Sequence, residues 1–452
     1  MRINILVAEI GSTTTVVNGF HEVDSPCPKF IGQGQAPTSV LEGDVNIGLK
    51  GAIDDLKKNL NVEDLEYDEL IATSSAAGGL RMTVHGLVYD MTVRAAKEAA
   101  LGAGANIKYI TSGKLRKSDL KKIKEINPNI ILIAGGVDYG ERDTALYNSE
   151  LIAELDLDVP VIYAGNIENH GEIKEAFEDT RSELYNVYPK IDDLNIEPTR
   201  KVIQDVFEKH IIHAPGMERI RDMVTGPIMP TPGAVMNASK LLYEDIGDLL
   251  TLDVGGATTD VHSVTEGSDE IARILISPEP VAKRTVEGDL GVYVNMKNIV
   301  EMVGREELAE NLNISLEELE ELIESHKPIP ETDLQRNFVE ELTLHAVVTA
   351  VKRHAGVFRH LYGPGGKKTV AEGKDLTRVK YILGTGGALT RLPNRMDMMK
   401  QIALSNKGME LLPNKDAKLL IDNNYIMASL GVLAKRHPQA ALSILKDSLE
   451  IK

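Results

Sequence analysis

The chain has no tryptophan, and aromatic residues make up only 4% of it. Few rings are available to stack on bases. It has one cysteine, Cys27, which excludes an intrachain disulfide and an internal iron–sulfur ligand set. No run of about 18 apolar residues, the length of a membrane helix, occurs. The N-terminal apolar run soon meets Glu9, where a signal peptide would carry its long apolar core. Positive charge is also scarce. With 50 Lys and Arg against 68 Asp and Glu, the net charge is −18, and such a surface repels phosphate backbones. The expectation is a soluble cytoplasmic protein with neither a nucleic-acid nor a membrane partner. At 452 residues, 42% hydrophobic and 26% charged, the chain is too long for one ordinary core and calls for two or three domains.

One stretch organises the rest. Two short apolar strands, 249–254 and 258–264, flank the turn Gly255-Gly256-Ala257. Without a Cβ at either glycine, the backbone can bend sharply and approach a ligand. Asp253 ends the first strand and Asp260 lies in the second. Two carboxylates beside such a turn, with Thr258 and Thr259, suit a hydrated magnesium ion and a phosphate. An ordinary β-hairpin would read the same way. A second copy argues against coincidence: residues 3–8 are apolar, Glu9-Ile10-Gly11-Ser12-Thr13-Thr14-Thr15 follow, and 16–20 form another strand. A third glycine turn, Gly384-Thr385-Gly386-Gly387, follows the apolar Tyr381-Ile382-Leu383 and opens a helix. That order aims backbone N–H groups at an anion or nucleotide.

Between the two hairpins the pattern changes. Residues 43–60 read as a helix, and 74–79 as a small-residue loop. From 88 to 179 strands and helices alternate, with 129–134 almost wholly apolar, which fits a parallel α/β unit. Its Gly135–Gly140 loop stands at a strand's C-terminal end, where such sheets bind ligands, although a plain β–α turn is the favoured explanation. His210 and His213 lack a third metal ligand nearby. Further on, 272–276 reads as a third strand, 217–223 as a helix, 338–362 as one long helix carrying Lys352, Arg353, His354, Arg359 and His360, and 424–436 as a helix.

The two hairpins and the late glycine turn resemble the two phosphate motifs and the adenosine motif of the actin, Hsp70 and sugar kinase ATPases. That resemblance implies an α/β fold of two RNase H-like halves that close over ATP and magnesium, with an inserted parallel α/β module in the first half. The expected divisions are 1–85 for the first half, 86–212 for the module, 213–245 for connecting helices and 246–452 for the second half. Glu9 departs from the aspartate more usual there. Read with Ala134-Gly135-Gly136-Val137-Asp138, Arg284-Thr285-Val286-Glu287-Gly288-Asp289 and His437-Pro438-Gln439-Ala440-Ala441-Leu442, the hairpins resemble one family along nearly the whole chain: the glutamate mutase accessory proteins called MutL or GlmL. These are unrelated to the DNA mismatch-repair protein of similar name. The resemblance implies an ATP-dependent reactivating chaperone for an adenosylcobalamin-dependent mutase, such as glutamate mutase or ornithine aminomutase.

In that reading Gly11, Ser12, Thr13 and Thr14, with Gly255, Gly256, Ala257 and Thr258, bind phosphates. Gly384, Thr385, Gly386 and Gly387 bind adenosine. Asp253, Glu9 and Asp260 hold Mg2+ largely through water, and Asp253 and Glu9 are the catalytic carboxylates. A small-molecule kinase and an actin-like filament or scaffold protein remain alternatives on this fold, and a homodimer is open. A redox activator is disfavoured, because a cluster shared across a dimer takes two cysteines per chain and only Cys27 is present.

Overall fold

The computed structural model describes residues 1–11, 14–39, 42–75, 80–136, 138–187, 191, 196–210, 216–363 and 366–451. The chain folds as two compact units, Met1–Met236 and Asn237–Lys452. Among the described residues no helix is long and apolar enough to cross a membrane.

In the first unit, β1 (Arg2–Ile10), β2 (Thr14–His21) and β3 (Lys29–Pro37) form an antiparallel meander. Helix α1 (Val45–Asn59) follows, then β4 (Glu66–Ser74). The side chain of Asp44 accepts the Asn46 N–H at 2.9 Å and starts α1. Val45, Leu49, Ala52, Ile53 and Leu56 make its buried stripe. Helix and sheet meet at Gly34, where a Cβ would fall 2.3 Å from the Ala52 carbonyl oxygen and 2.3 Å from the Leu56 nitrogen.

The chain then leaves this sheet for a module. It comprises β5 (Leu80–Gly86), α2 (Arg94–Ala103) after a π-helical turn, β6 (Ala105–Ser112), α3 (Lys117–Ile126), β7 (Ile130–Gly135), α4 (Asp143–Ala153), β8 (Val161–Gly165), α5 (His170–Phe177) and β9 (Leu184–Asn186). Every pairing is parallel, in the order β6-β5-β7-β8-β9. All six residues of β7 are buried, as its continuous apolar run requires of a strand covered on both faces. The module's sheet begins at Leu80 rather than at 86. After α6 (Glu197–His210), β10 (Ile228–Pro230) returns to pair with β4. The first sheet thus runs β10-β4-β1-β2-β3. Helix α7 (Thr231–Ile246) contains the division between the units, inside the 213–245 stretch assigned to connecting helices. Only a 3-10 turn, Ile220–Asp222, forms within the helix expected at 217–223.

The second unit repeats the plan. It contains β11 (Leu249–Val254), β12 (Thr259–Val264), α8 (Asp269–Ala272), β13 (Ala282–Glu287), α9 (Met296–Val303), α10 (Arg305–Leu312), α11 (Leu316–Glu324), α12 (Asp333–His354), β14 (Val357–Gly363), β15 (Gly366–Glu372), β16 (Tyr381–Thr385), α13 (Gly386–Arg391), α14 (Arg395–Leu404), β17 (Lys418–Ile421), α15 (Met427–Leu433) and α16 (Pro438–Ser448). Its main sheet runs β17-β16-β11-β12-β13, the same order as the first sheet when β17 is matched to β10 and β16 to β4.

Three expectations about this unit are corrected. The third strand is β13, not 272–276. Ser268 caps α8 by accepting the Ile271 N–H at 3.2 Å, so that stretch begins helical, and only Leu275 bridges to Ala371. The helix expected over 338–362 ends at His354. A Cβ at Gly356 would meet the Glu372 carbonyl oxygen at 2.6 Å, and residues 357–363 pair with β15 instead. The helix expected from 424 starts at Met427, for a reason that belongs to the site.

The Gly34 contact gives a test. Gly34→Ala should lower stability by about 1–3 kcal/mol by forcing α1 off β3. Gly171→Ala, in a helix with nothing within 4 Å of its Cβ position, should raise it by about 0.5–1 kcal/mol. Denaturant unfolding of the two variants beside the parent measures both.

Candidate functional site

The two hairpins share one geometry. In the first, the Gly11 N–H donates to the Thr14 carbonyl at 2.9 Å and Glu9 stands opposite Val16. In the second, the Gly255 N–H donates to the Thr258 carbonyl at 2.9 Å and Asp253 stands opposite Asp260. The strand carrying the acid also pairs in parallel with a threonine-bearing strand in each unit, Glu9 with Thr73 and Asp253 with Thr385. Ser12 and Thr13 lie outside the described residues, as do 76–79, Val137 and His213. The register shows what the sequence left open: Glu9 matches Asp253, Gly11 matches Gly255, Thr14 matches Thr258, and Asp260 is matched by Val16.

The second turn is braced from one side. The N–H groups of Val292, Tyr293 and Val294 donate to the carbonyls of Gly255 and Gly256 at 3.2, 2.9 and 2.7 Å. Asn295 Nδ2 donates to the Ala257 carbonyl at 2.7 Å. Gly291 packs so close that a Cβ there would fall 2.3 Å from the Ala257 carbonyl carbon. The turn's carbonyls are thereby occupied. Among the described residues no acceptor takes the N–H of Gly256 or Ala257, and both residues are partly exposed. Two N–H groups without an acceptor at a bare glycine turn suit an anionic oxygen.

The carboxylates beside the turn differ. Asp260 is buried. Its Oδ1 accepts from Arg284 Nη2 at 2.7 Å and Nε at 3.1 Å, and its Oδ2 accepts from the Thr258 hydroxyl at 3.2 Å. Arg284 is 2% exposed. Removing either partner of such a pair leaves an uncompensated buried charge, at a cost of about 3–5 kcal/mol. Asp260, expected as a metal ligand, is thus held by an arginine. Asp253 is partly exposed and has no cation of its own. Burial first, then the charge of Asp260, raises its pKa to about 7, against a lowering by Arg284. A carboxylate so poised favours a cation next to it. Among the described residues no three His, Cys, Asp or Glu side chains form a ready metal cage, so a magnesium ion there would keep most of its ligands as water. Glu9 in the first unit is 6% exposed. Its Oε1 accepts from Asn18 Nδ2 at 3.4 Å, and Asn18 Oδ1 accepts from Gln33 at 2.9 Å.

The late glycine turn divides its labour. Gly386, at φ +83°, packs so that a Cβ would lie 2.5 Å from Asp253 Oδ1. Gly384 is closed in by Met399 Sδ at 2.9 Å from its Cβ position. Gly387 faces open space. The Thr385 hydroxyl points inward and donates to Asp422 Oδ2 at 3.0 Å. Sequence reasoning missed Asp422, which the apolar Lys418–Ile421 strand and the helix after it could have flagged as a cap. It is fully buried, and its Oδ2 also accepts the N–H groups of Ile426 and Met427 at 2.9 and 2.8 Å. That is why α15 starts where it does. Its Oδ1 accepts from Ser448 of α16 at 2.7 Å. Burial raises its pKa, against these hydrogen bonds.

The basic residues of the expected long helix do not form an anion site. Arg353 is paired with Glu287 and Asp289, both at 2.8 Å. His354 is buried, bonded to Ser263 at 2.8 Å and Thr285 at 3.0 Å. Arg359 and His360 lie on β14 instead, where Arg359 pairs with Glu372.

Two mixed sheets of one strand order, each opening with an acid-to-glycine hairpin, define an actin-like ATPase fold of two RNase H-like halves with an inserted parallel α/β module. A family model described as MutL protein matches residues 5–449. Protein MutL of Clostridium tetanomorphum is 35% identical over 460 residues, 98% of each chain. The chain belongs to the MutL protein family. Solved structures of similar shape include diol dehydratase-reactivating factor in nucleotide-free form, at 10% identity and TM-score 0.39, covering 96% of this chain and 100% of that one. Another is the activator of the 2-hydroxyisocaproyl-CoA dehydratase from Clostridium difficile with bound ADPNP, at 8% identity and TM-score 0.31, covering 99% and 96%. The fold assignment rests on the strand order.

Two outcomes are expected. Asp422→Ala strands four buried donors and should cost about 3 kcal/mol or more in denaturant unfolding. For Asp253, the folded state binds a proton between the ordinary carboxylate pKa of 3.8 and about 7, where the unfolded chain has released it. The Asp253 contribution to stability is therefore present at acid pH and lost as pH rises through that window. Relative to Asp253→Asn, the parent should lose stability from pH 4 to pH 7 and level off above, as read by thermal unfolding across pH without added nucleotide.

Proposed function

We propose that this chain is an ATP-dependent accessory protein that reactivates an adenosylcobalamin-dependent mutase by driving the release of damaged cobalamin. The observation that carries the ATPase part is the braced second hairpin: occupied carbonyls, free N–H groups and the poised Asp253. Membership of the MutL protein family supports the mutase part.

In this reading the N–H groups of Gly256 and Ala257 hold a phosphate oxygen, and Thr258 turns its hydroxyl between Asp260 and that oxygen. Asp253, with a pKa near neutrality, orients the attacking water and takes its proton. Gly387 offers bare backbone to the adenosine, while Gly384, Thr385 and Gly386 fix its position from within the core. Magnesium would supply charge neutralisation of the phosphates, and Asp253 would hold it through water. In the first unit we assign Glu9, Gly11, Ser12, Thr13 and Thr14 the corresponding roles, with Asn18 and Gln33 orienting Glu9. Arg284 holds Asp260 in an ion pair and out of the reaction.

Asp253→Ala should reduce ATP hydrolysis by about 10²-fold or more and leave the circular dichroism spectrum unchanged. Hydrolysis at the parent rate would remove Asp253 from the chemistry. The function itself is tested with purified protein, ATP and Mg2+, alone and with inactivated cobalamin mutases of the same organism. Hydrolysis with cobalamin release and recovered mutase activity is expected. Hydrolysis that rises instead with a sugar or other hydroxyl compound would favour a kinase, and nucleotide-dependent pelleting a filament.

A further inference from the structure

One stretch of the module carries a charge pattern opposite to that of the chain. Against a net charge of −18, residues 108–125 hold six lysines and Arg116 with only Asp119 and Glu125. All seven cations are exposed. Elsewhere in the module Arg142 meets Glu168 and Glu172, and Arg181 meets Asp156. Here the acids are largely spent. Asp119 accepts from the Tyr109 hydroxyl at 2.6 Å and from the Arg116 N–H at 2.8 Å. Glu125 reaches only Lys121, at 3.7 Å.

The shape at this place is also specific. Strand β6 is an edge of the module's sheet. Between its end and α3 lies a cavity of about 610 Å³, lined by Tyr109, Ser112, Lys114, Arg116, Ser118 and the Tyr109-bound Asp119 among others. Lysines on an edge strand commonly ward off edge-to-edge pairing. That accounts for Lys108, which lies on β6. It does not account for the other six cations, which sit on the following loop and on α3.

We propose that this face docks an acidic segment of the partner protein, laid beside β6 with a carboxylate side chain seated between Lys114 and Arg116. This rests on the accessory reading and gives its partner a chemistry. A duplex nucleic acid is the poorer occupant. Its phosphates would extend beyond this patch onto a strongly anionic surface, whereas a short acidic protein segment meets the cations alone. Complementary charge of this kind speeds association and selects the partner.

The test uses the full chain with Lys114→Glu, Arg116→Glu, Lys117→Glu and Lys121→Glu combined, and a control with Lys367→Glu and Lys368→Glu on β15. Thermal unfolding verifies that both fold. Basal ATP hydrolysis should stay within about twofold of the parent, since the changes lie outside the proposed nucleotide machinery. Association with the cobalamin mutase should fall by about tenfold or more in the module variant and not in the control. Parent association should itself weaken markedly between about 50 and 300 mM salt. Unchanged mutase affinity in the module variant overturns the proposal. So does duplex DNA that binds the parent and not the variant. A second readout does not depend on the mutase: an oligo-glutamate peptide, coupled by carbodiimide to the parent, should cross-link to Lys114, Lys117 and Lys121. Cross-links spread over the other lysines overturn the docking face even where ATP hydrolysis and mutase reactivation hold. Focused cross-links with no mutase bound or reactivated by the parent would instead fault the accessory reading.

Discussion

Two aspartates face each other across β11 and β12, and the site depends on how that repulsion is resolved. Directly opposed like charges destabilise a sheet. Arg284, buried one strand further on β13, removes the problem by fixing Asp260 as half of an ion pair. Asp253 is then the carboxylate that remains, crowded by burial and by Asp260, and its pKa rises towards neutrality. The same crowding that makes Asp253 costly to ionise fits it to take a proton or to welcome a cation. Gly386 against its carboxylate and the 292–295 segment across the turn hold this arrangement from two sides.

The first unit shows the same strand plan without the ion pair. Val16 stands where Asp260 would be, Asn18 takes the place of His262, and Gln33 that of Arg284. A neutral chain of amides, Gln33 to Asn18 to Glu9, replaces a charged one. One repeated hairpin thus carries two electrostatic solutions. Asp422 adds an asymmetry of its own by tying β16 to the start of α15 and to α16 through a single buried carboxylate. Any shift of the glycine turn beside Asp253 is therefore mechanically linked to the C-terminal helices.

The stretch 108–125 of the module stands apart in charge, and the module's sheet stands apart in topology. That sheet is wholly parallel; one face packs in a cluster of its own with Leu115, Ile123, Ile131, Ile133 and Tyr163, while the other face, with Met82, Leu132 and Ile162, joins the core of the first sheet.

Much of this was legible in the chain. Glycine turns after apolar strands mark hairpins because backbone geometry is local. The continuous apolar run at β7 marked a covered strand because burial on both faces leaves no polar positions. Local signals misled at 338–362, where a helical run gives way to a two-stranded hairpin only because β15 is there to pair with it. The sequence by itself determined the two acid-to-glycine hairpins, the parallel module and the scarcity of cysteine and aromatic residues, since each depends on composition or near neighbours. Tertiary structure alone decided that Asp260 belongs to Arg284, that Thr385 and Asp422 face each other inside the core, and that Asp253 is left poised. Those partners lie 24, 37 and more residues apart, and a buried charge takes its character from whatever the fold brings beside it.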